Sequence, residues 1–382
     1  MNRKSVTVLC VESSEVTALC GERGVNNTFV FKGMDTEKYD GYADARFFDP
    51  AGLKNAVFTA LERMELSSGA RTKEIFVGVP GEFLRVVARR HLISFQRKRK
   101  VYPSDVELLY DKGYADDGSM GELIQRSSVY FVTSDKRRII DPVGMISDSL
   151  EGYLSYFFAD TRFTELLRNI LTEYGIKKIK FLPVSLSEAM YLIPSEIRDE
   201  YAILLDIGYM SMTFSIVCGN GIVYQNACSI GGGHVAAHLL SALNISFPAA
   251  EAMLKKVNLC SIDDPNAVIE YNDGKDSYTV SARDLKEETK EGLDIICEAV
   301  THFLETGNDR NIEYKPVLLT GCGVTSIRGA REHISGRLNK VVEILTPKLP
   351  YYNKAAQSSL LSLLDMALRT KSEQSAIRKL FN

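Results

Sequence analysis

The chain has 382 residues, a length that predicts two domains rather than one small core. Its net charge is −3, with 46 basic and 49 acidic residues, so no overall basic field favours nucleic acid as a partner. The chain lacks the run of 18 apolar residues that a membrane-spanning helix needs. Its 7 cysteines include no CxxC pair, which argues against a disulfide framework or a structural zinc site. Together these features predict a cytoplasmic protein.

Apolar runs in the first eighty residues predict the order β-β-β-α-β. Residues 5–11 and 16–20 are strand-like runs on either side of a polar turn, and a third run covers residues 28–31. Apolar residues at helical spacing predict a helix over residues 53–66, followed by a buried strand at residues 74–79. This order indicates strand pairing first and a crossover connection later.

The second half of the chain predicts the same order again. Strand-like runs at residues 201–207 and 212–218 match the opening near residue 9, so two polar turns face each other across one cleft. Between the halves, residues 82–160 have a different, partly basic texture that we interpret as an inserted α+β unit. The predicted domains are residues 1–81 with 161–200, the insertion 82–160, residues 201–368 with a smaller part at about 241–312, and a tail at 369–382.

Three short segments carry candidates for anion binding. Asp206-Ile207-Gly208 ends a strand, Gly231-Gly232-Gly233 precedes a helix, and Gly321-Cys322-Gly323 follows another strand. Glycine lets backbone N–H groups approach a phosphate, and a helix N-terminus attracts one. Each segment also has a plainer interpretation, because an aspartate caps turns and glycine permits close packing.

These segments resemble the actin-like nucleotide-binding fold. Over nearly the whole chain the sequence resembles FtsA, a family of bacterial cell-division proteins that tether the division ring to the membrane. The position of the insertion, the segment Asp141-Pro142-Val143-Gly144-Met145 within it, and Cys20-Gly21-Glu22 carry the same resemblance. The resemblance implies an α/β, actin-like duplicated (ribonuclease H-like) two-domain fold with an inserted small α+β subdomain.

The resemblance also implies ATP and magnesium as cofactors. The residues that match the family's cofactor-binding motifs are serines, one aspartate and glycines. They are Ser13, Ser14, Asp206, Gly208, Ser211, Gly231, Gly232, Gly233, Gly321 and Gly323. The implied partners are a division-ring tubulin-like protein, other divisome proteins, further copies of the chain and an anionic membrane surface, the last placing the protein at the inner face of the cell membrane.

The first phosphate turn departs from the family pattern Asp-x-Gly-(Thr/Ser)-(Ser/Thr)-Lys. Cys10 stands for the acid, Glu12 for the glycine and Glu15 for the lysine. In the second turn, Met210 stands for a glycine and Thr213 for the last acid. A carboxylate in contact with a phosphate costs about 1–4 kcal/mol, and magnesium prefers oxygen ligands to sulfur. The sequence therefore predicts weakened or lost ATP hydrolysis, with no catalytic residue and no metal site.

Two further groups of charged residues have mainly structural interpretations. His234 and His238 lie one helical turn apart, but Val235 stands where a HExxH zinc site needs glutamate. The basic stretch at residues 85–100 is typical of a solvated strand face, with an acidic partner or an anionic membrane as the alternative. Nucleic acid is disfavoured because no aromatic residues are interleaved with these cations.

The tail carries a short amphipathic pattern. Residues 369–374 are a candidate linker, and an apolar stripe with two cations follows it: Ile377, Arg378, Lys379, Leu380 and Phe381. Such a stripe is typical of an interfacial membrane helix, although a frayed terminus produces the same pattern. Several copies on a polymer would bind a membrane by avidity.

Three functions fit these observations. The first is an FtsA-like cell-division scaffold that has weakened or lost ATP hydrolysis. The second is an active actin-like ATPase or a small-molecule kinase on the same fold, which the substitutions at Cys10 and Thr213 disfavour. The third is a non-polymerising assembly adaptor similar to the PilM-type pilus proteins, which needs no membrane tail.

Overall fold

The computed structural model describes residues 5–114, 118–262, 264, 266–307 and 312–380. The first half contains β1 Val6–Val11, β2 Glu15–Arg23, β3 Phe29–Lys38, β4 Tyr42–Ala43, β5 Arg46–Phe47, α1 Pro50–Ser68 and β6 Glu74–Val79. The insertion contains β7 Leu84–Lys100, α2 Pro103–Gly113, β8 Glu122–Thr133, β9 Arg138–Ile139 and β10 Ile146–Ala159. The first half then resumes with α3 Thr161–Tyr174, β11 Lys178–Pro183, α4 Val184–Leu192 and α5 Ser195–Arg198.

The second half follows without interruption. Its elements are β12 Ala202–Ile207, β13 Met212–Cys218, β14 Gly221–Cys228, α6 Gly232–Leu243, α7 Phe247–Leu254, β15 Val268–Asn272, β16 Ser277–Ser281, α8 Ala282–Gly307, β17 Val317–Thr320, α9 Ala330–Leu338, β18 Val342–Ile344 and α10 Ser358–Leu380. In the part of the chain that the structure describes, no helix combines the length and the apolar character needed to cross a membrane.

The two halves contain sheets of identical topology. In the first sheet the strand order is β3-β2-β1-β6-β11, and in the second it is β14-β13-β12-β17-β18. In each, the opening strand pairs antiparallel with the next strand and parallel with the strand that follows the crossover. The predicted duplicated α/β fold is therefore confirmed.

Local signals explain where the first crossover begins and ends. Asp49 accepts a hydrogen bond from Gly52 N at 2.9 Å, and Pro50 supplies the first helical residue of α1. The helix ends at Gly69, whose φ of +69° is costly for residues with a side chain. Leu61 and Met64 on its inner face are fully buried against the first sheet.

The insertion is a four-stranded sheet with the order β7-β10-β8-β9 and one helix. The basic stretch of the sequence lies in β7, a 17-residue strand at the edge of this sheet. Part of its charge has partners, because Arg99 forms a salt bridge to Asp105 at 2.7 Å and Arg90 donates to the Tyr130 hydroxyl at 2.8 Å. The stretch is therefore partly engaged within the inserted unit.

Helix α10 packs on the sheet of the first half. Its buried Leu361, Leu364 and Leu368 form one cluster with apolar residues of β1, β2, β6 and β11. The interval predicted as the second domain, residues 201–368, thus ends inside a helix that contacts the first sheet. The candidate linker at residues 369–374 is also helical, which corrects the prediction; an ion pair between Lys371 Nζ and Glu74 Oε2 at 3.2 Å holds it in place.

Leu364 tests how much this docking stabilises the fold. Its side chain is fully buried, and it packs so closely on Gly21 that a Cβ there would lie 3.0 Å from Leu364 Cδ2. We expect Leu364→Ala to lower the free energy of unfolding by about 2–5 kcal/mol, measured by urea denaturation. Leu66→Ala is the control, because that side chain is 82% exposed and should change stability little. Equal effects of the two substitutions would contradict the docking of α10 on this sheet.

Candidate functional site

Two equivalent hairpin turns form the bottom of the cleft. In the first half, Glu12 N donates to Glu15 O at 2.9 Å across the turn between β1 and β2. In the second half, Gly208 N donates to Ser211 O at 2.8 Å across the turn between β12 and β13. Glu12 therefore occupies the position of Gly208, and Cys10 that of Asp206. None of the four residues 12–15 has a positive φ, so the glutamate fits this turn without strain.

The two turns touch across the cleft. Met210 N donates to Ser13 Oγ at 3.1 Å, which uses one of the predicted cofactor-binding hydroxyls. Ser211 Oγ, another, donates to Glu82 Oε1 at 3.0 Å, and the Tyr42 hydroxyl donates to the same oxygen at 2.7 Å. The halves are thus joined by direct polar contacts at the two turns for which the sequence predicted phosphate binding.

The predicted phosphate-binding glycines surround the second turn. Gly232 N donates to Gly208 O at 3.0 Å, and Gly323 N donates to Ile207 O at 2.8 Å. Gly321 has a φ of +95°, and a Cβ there would collide with Asp206 Oδ1. Gly233 N donates to Tyr209 O at 2.7 Å. These glycines are needed for close backbone packing, and their contact with a cofactor stays a prediction.

The structure also locates Gly231 and Ser14, whereas the tail residues have no described side chains. Gly231 N donates to His234 Nδ1 at 3.1 Å, so this histidine caps its own helix. Ser14 lies outside the turn contact and lines a second, wider cavity. Of the tail residues, Phe381 lies outside the described residues, and nothing is described of the side chains at 377–380. The predicted turn residues come together, whereas the membrane prediction has no structural test.

Buried acidic groups dominate the cavity between the turns. Burial, reinforced by the charges of Glu15 and Asp206, raises the pKa of Glu12 to about 8. Burial also raises the pKa of Asp206, with Glu82 as the second cause, and raises that of Glu188 well above its ordinary value. Ser359 Oγ donates to Glu188 Oε1 at 2.9 Å and so provides one partner for that carboxyl. The neutral form of these acids is therefore favoured.

No cation balances these acids inside the cavity. Among its described lining residues there is no lysine, arginine or histidine, and the cavity volume is about 50 Å³. Sites for small molecules of drug size are typically ~300–1,000 Å³. A wider cavity of about 450 Å³ opens beside it, lined by Ser14, Glu15, Tyr209 and two lysines, Lys38 and Lys255. The wider cavity shares Glu12 with the smaller one and also contains Asp40 and Glu251, so its lining carries both acids and cations.

Sequence reasoning missed two of the acids in this cavity. Glu82 follows β6 and Glu188 lies in α4, directly after β11. β6 lies beside β1 and β11 lies beside β6, all three in parallel, and the carboxyl ends of neighbouring parallel strands meet at one edge of a sheet. That relation was a usable signal, since β6 was predicted correctly and Pro80-Gly81 marked its end.

The raised pKa of Glu12 predicts a pH-dependent stability. The folded protein keeps a proton that the unfolded chain loses near the ordinary pKa of 4.5, so the free energy of unfolding should fall as pH rises from 4.5 to about 8. The slope from this group is at most about 1.4 kcal/mol per pH unit. Glu12→Gln should flatten the fall measured by urea denaturation, whereas the exposed control Glu62→Gln should not. Parallel profiles for both variants would refute the assignment.

Comparison with known protein families and proteins gives matches to FtsA. The family model for the cell division protein FtsA matches residues 203–363, the part that contains the second turn and helix α10 up to Leu363. The chain is 24% identical over 238 residues to FtsA of Helicobacter pylori strain J99, covering 58% of this chain and 47% of that protein. It is 22% identical over 249 residues to FtsA of Streptococcus pneumoniae strain D39, covering 65% of this chain and 54% of that protein.

Similar solved structures cover the whole fold. A PilM-PilN type IV pilus biogenesis complex has a TM-score of 0.62 at 12% identity, over 96% of this chain and 99% of that one. MreB5 of Spiroplasma citri bound to ADP has a TM-score of 0.56 at 12% identity, over 99% and 98%. At this identity the likeness shows the fold alone, and the chain spans about half the length of the curated relatives. The chain is therefore similar to FtsA over part of its length, and it has the actin-like fold.

Proposed function

We propose that this protein is a cell-division scaffold whose ATP hydrolysis is weak or lost. The observation that carries the proposal is Glu12, an acid buried in the first phosphate turn, in a small cavity whose described lining includes no lysine, arginine or histidine. The FtsA relatives are named as cell division proteins, which supports the cellular role. The partners we propose are a tubulin-like division-ring protein, other division proteins, further copies of this chain and an anionic membrane at the cytoplasmic face.

The residues at the phosphate end do not fit a nucleotide triphosphate with magnesium. Cys10 is buried and its pKa is raised well above the ordinary value, so a neutral thiol stands where an oxygen ligand would be needed. Five glycine N–H groups and Ser13 Oγ already have partners in the protein. A phosphate would also contact Glu12, at a cost of about 1–4 kcal/mol if that group were ionised.

The adaptor alternative has one observation in its favour. Helix α10 is docked on the first half as far as Lys371, which donates to Ser5 O at 3.3 Å. This part of the tail therefore contacts the protein itself, in agreement with an adaptor that acts through protein surfaces. The PilM-PilN complex, a solved structure with the same fold, is named as a complex of two proteins.

The first test restores the family pattern in the first turn. We expect the wild-type protein to show no saturable binding of millimolar ATP with magnesium by calorimetry. Cys10→Asp, Glu12→Gly and Glu15→Lys together remove two carboxylates and supply an oxygen ligand and a cation. That variant should bind ATP at least about tenfold more tightly, since each 1.4 kcal/mol changes the affinity tenfold.

The control for this test is Glu62→Lys, which changes the net charge at an exposed site on α1. It should leave ATP binding unchanged. Tight, saturable binding and steady phosphate release by the wild-type protein would overturn the proposal. Failure of a well-folded restored variant to gain affinity would show that the carboxylates are not what excludes the phosphates.

The second test concerns the tail. Truncation after Gln374 keeps the ion pairs of Arg369 and Lys371, so the docked part of α10 should remain folded. We expect the full chain to float with vesicles that contain anionic lipid and the truncated chain to stay in the soluble fraction. In the matched variant, Arg378→Gln with Lys379→Gln removes the two cations. This variant should float less than the wild-type chain on the same anionic vesicles. Equal flotation of full and truncated chains would exclude the tail as the membrane contact.

A further inference from the structure

Helices α6 and α8 bring together an imidazole and two carboxylates on the side of the second half away from the turns. His238 Nε2 lies 3.0 Å from Glu288 Oε2 and 3.9 Å from Glu291 Oε2. One ligand atom from each of the three side chains lies within 4.8 Å of the others. The side chain of His238 is 24% exposed and that of Glu288 27%, so the group is partly shielded and still open to solvent.

The charges of this group are not balanced by the protein. In the described part of the chain, no lysine or arginine forms an ion pair with Glu288 or Glu291, and His238 is the group that both face. A protonated imidazole would supply one positive charge against two negative ones. Like charges three residues apart on a helix repel each other, so a compensating cation would relieve a destabilising pair.

A second histidine, His333 of α9, faces the same helix α8 and gives the contrast. His333 Nε2 lies 2.7 Å from Asp294 Oδ1, and Arg337 Nε lies 2.9 Å from the same oxygen. There the single carboxylate contacts both a histidine and an arginine, so its negative charge is already balanced by the protein. The two neighbouring groups thus have the same chemistry of His and carboxylate but opposite balances of charge.

We propose that His238, Glu288 and Glu291 form a binding site for a divalent transition metal, with zinc as the ion that fits it. Ligand atoms 2.0–2.2 Å from a tetrahedral zinc lie roughly 3.3 Å from one another, and the observed distances of 3.0 and 3.9 Å bracket that spacing. A water molecule completes the four ligands. The imidazole favours zinc over magnesium or calcium, which take oxygen ligands.

The position of the site gives it a consequence for the cleft. Helix α6 begins at Gly232, whose N–H donates to Gly208 O in the second turn. A metal that joins His238 to α8 would hold the far part of α6 against the longest helix of the second half. The metal would thereby restrict movement of the helix whose first residues contact that turn.

Zinc titration of the tag-free full chain, in competition with a chromophoric chelator, tests the proposal. We expect one zinc per chain, a raised melting temperature on zinc addition, and visible absorption bands of a four-coordinate site when cobalt replaces zinc. His238→Ala should weaken zinc binding by roughly tenfold or more and abolish the cobalt bands. Glu291→Gln, at a side chain that is 68% exposed, should weaken binding without harming the fold.

His333→Ala is the matched control, because it removes the histidine of α9 that contacts α8 without touching the proposed ligands. It should leave the affinity and the cobalt spectrum unchanged. Absence of zinc binding by the wild-type protein would overturn the proposal. So would equal affinity of the His238→Ala and His333→Ala variants, since zinc would then sit elsewhere, for example at the exposed thiol of Cys260.

Discussion

The contact between the two hairpin turns constrains everything else in the cleft. Each turn is closed by its own backbone hydrogen bond, and Met210 N reaches across to Ser13 Oγ. The backbone around them is so tightly packed that only glycine fits at Gly232 and Gly323. Buried acids then fill the small volume that remains. The bottom of the cleft is thus closed by contacts of the protein with itself.

Most of the fold was predictable because its signals are local. Alternating and continuous apolar runs located β1, β2, β6, β12 and β13, and the repeated order revealed the duplication. The docking side of α10 was not predictable, since its apolar stripe fits either sheet equally well by periodicity. Only the three-dimensional cluster with β1 and β6 decides it, and the pair of Arg23 with Asp365 spans most of the chain.

The candidate site was predictable where it depends on turns and not where it depends on neighbours in space. Cys10, Glu12 and Asp206 follow from the two matching openings of the halves. Glu82 follows β6 and Glu188 follows β11, and only the order of the strands in the sheet shows that these two acids lie near each other. The histidines show the same limit. Their spacing placed His234 and His238 one helical turn apart, but in the structure His238 lies beside two glutamates of α8, and His234 accepts a hydrogen bond at the start of its own helix.

The packing of the last described helix on the first strand has a consequence for biosynthesis. Val6, Val8, Leu19 and Phe76 are made early, yet the leucines that cover them belong to residues 361–368. At about 5–20 residues per second, the ribosome would leave this apolar sheet face uncovered for tens of seconds. The nascent first half is therefore a natural client for a chaperone, and its maturation ends only when α10 is released.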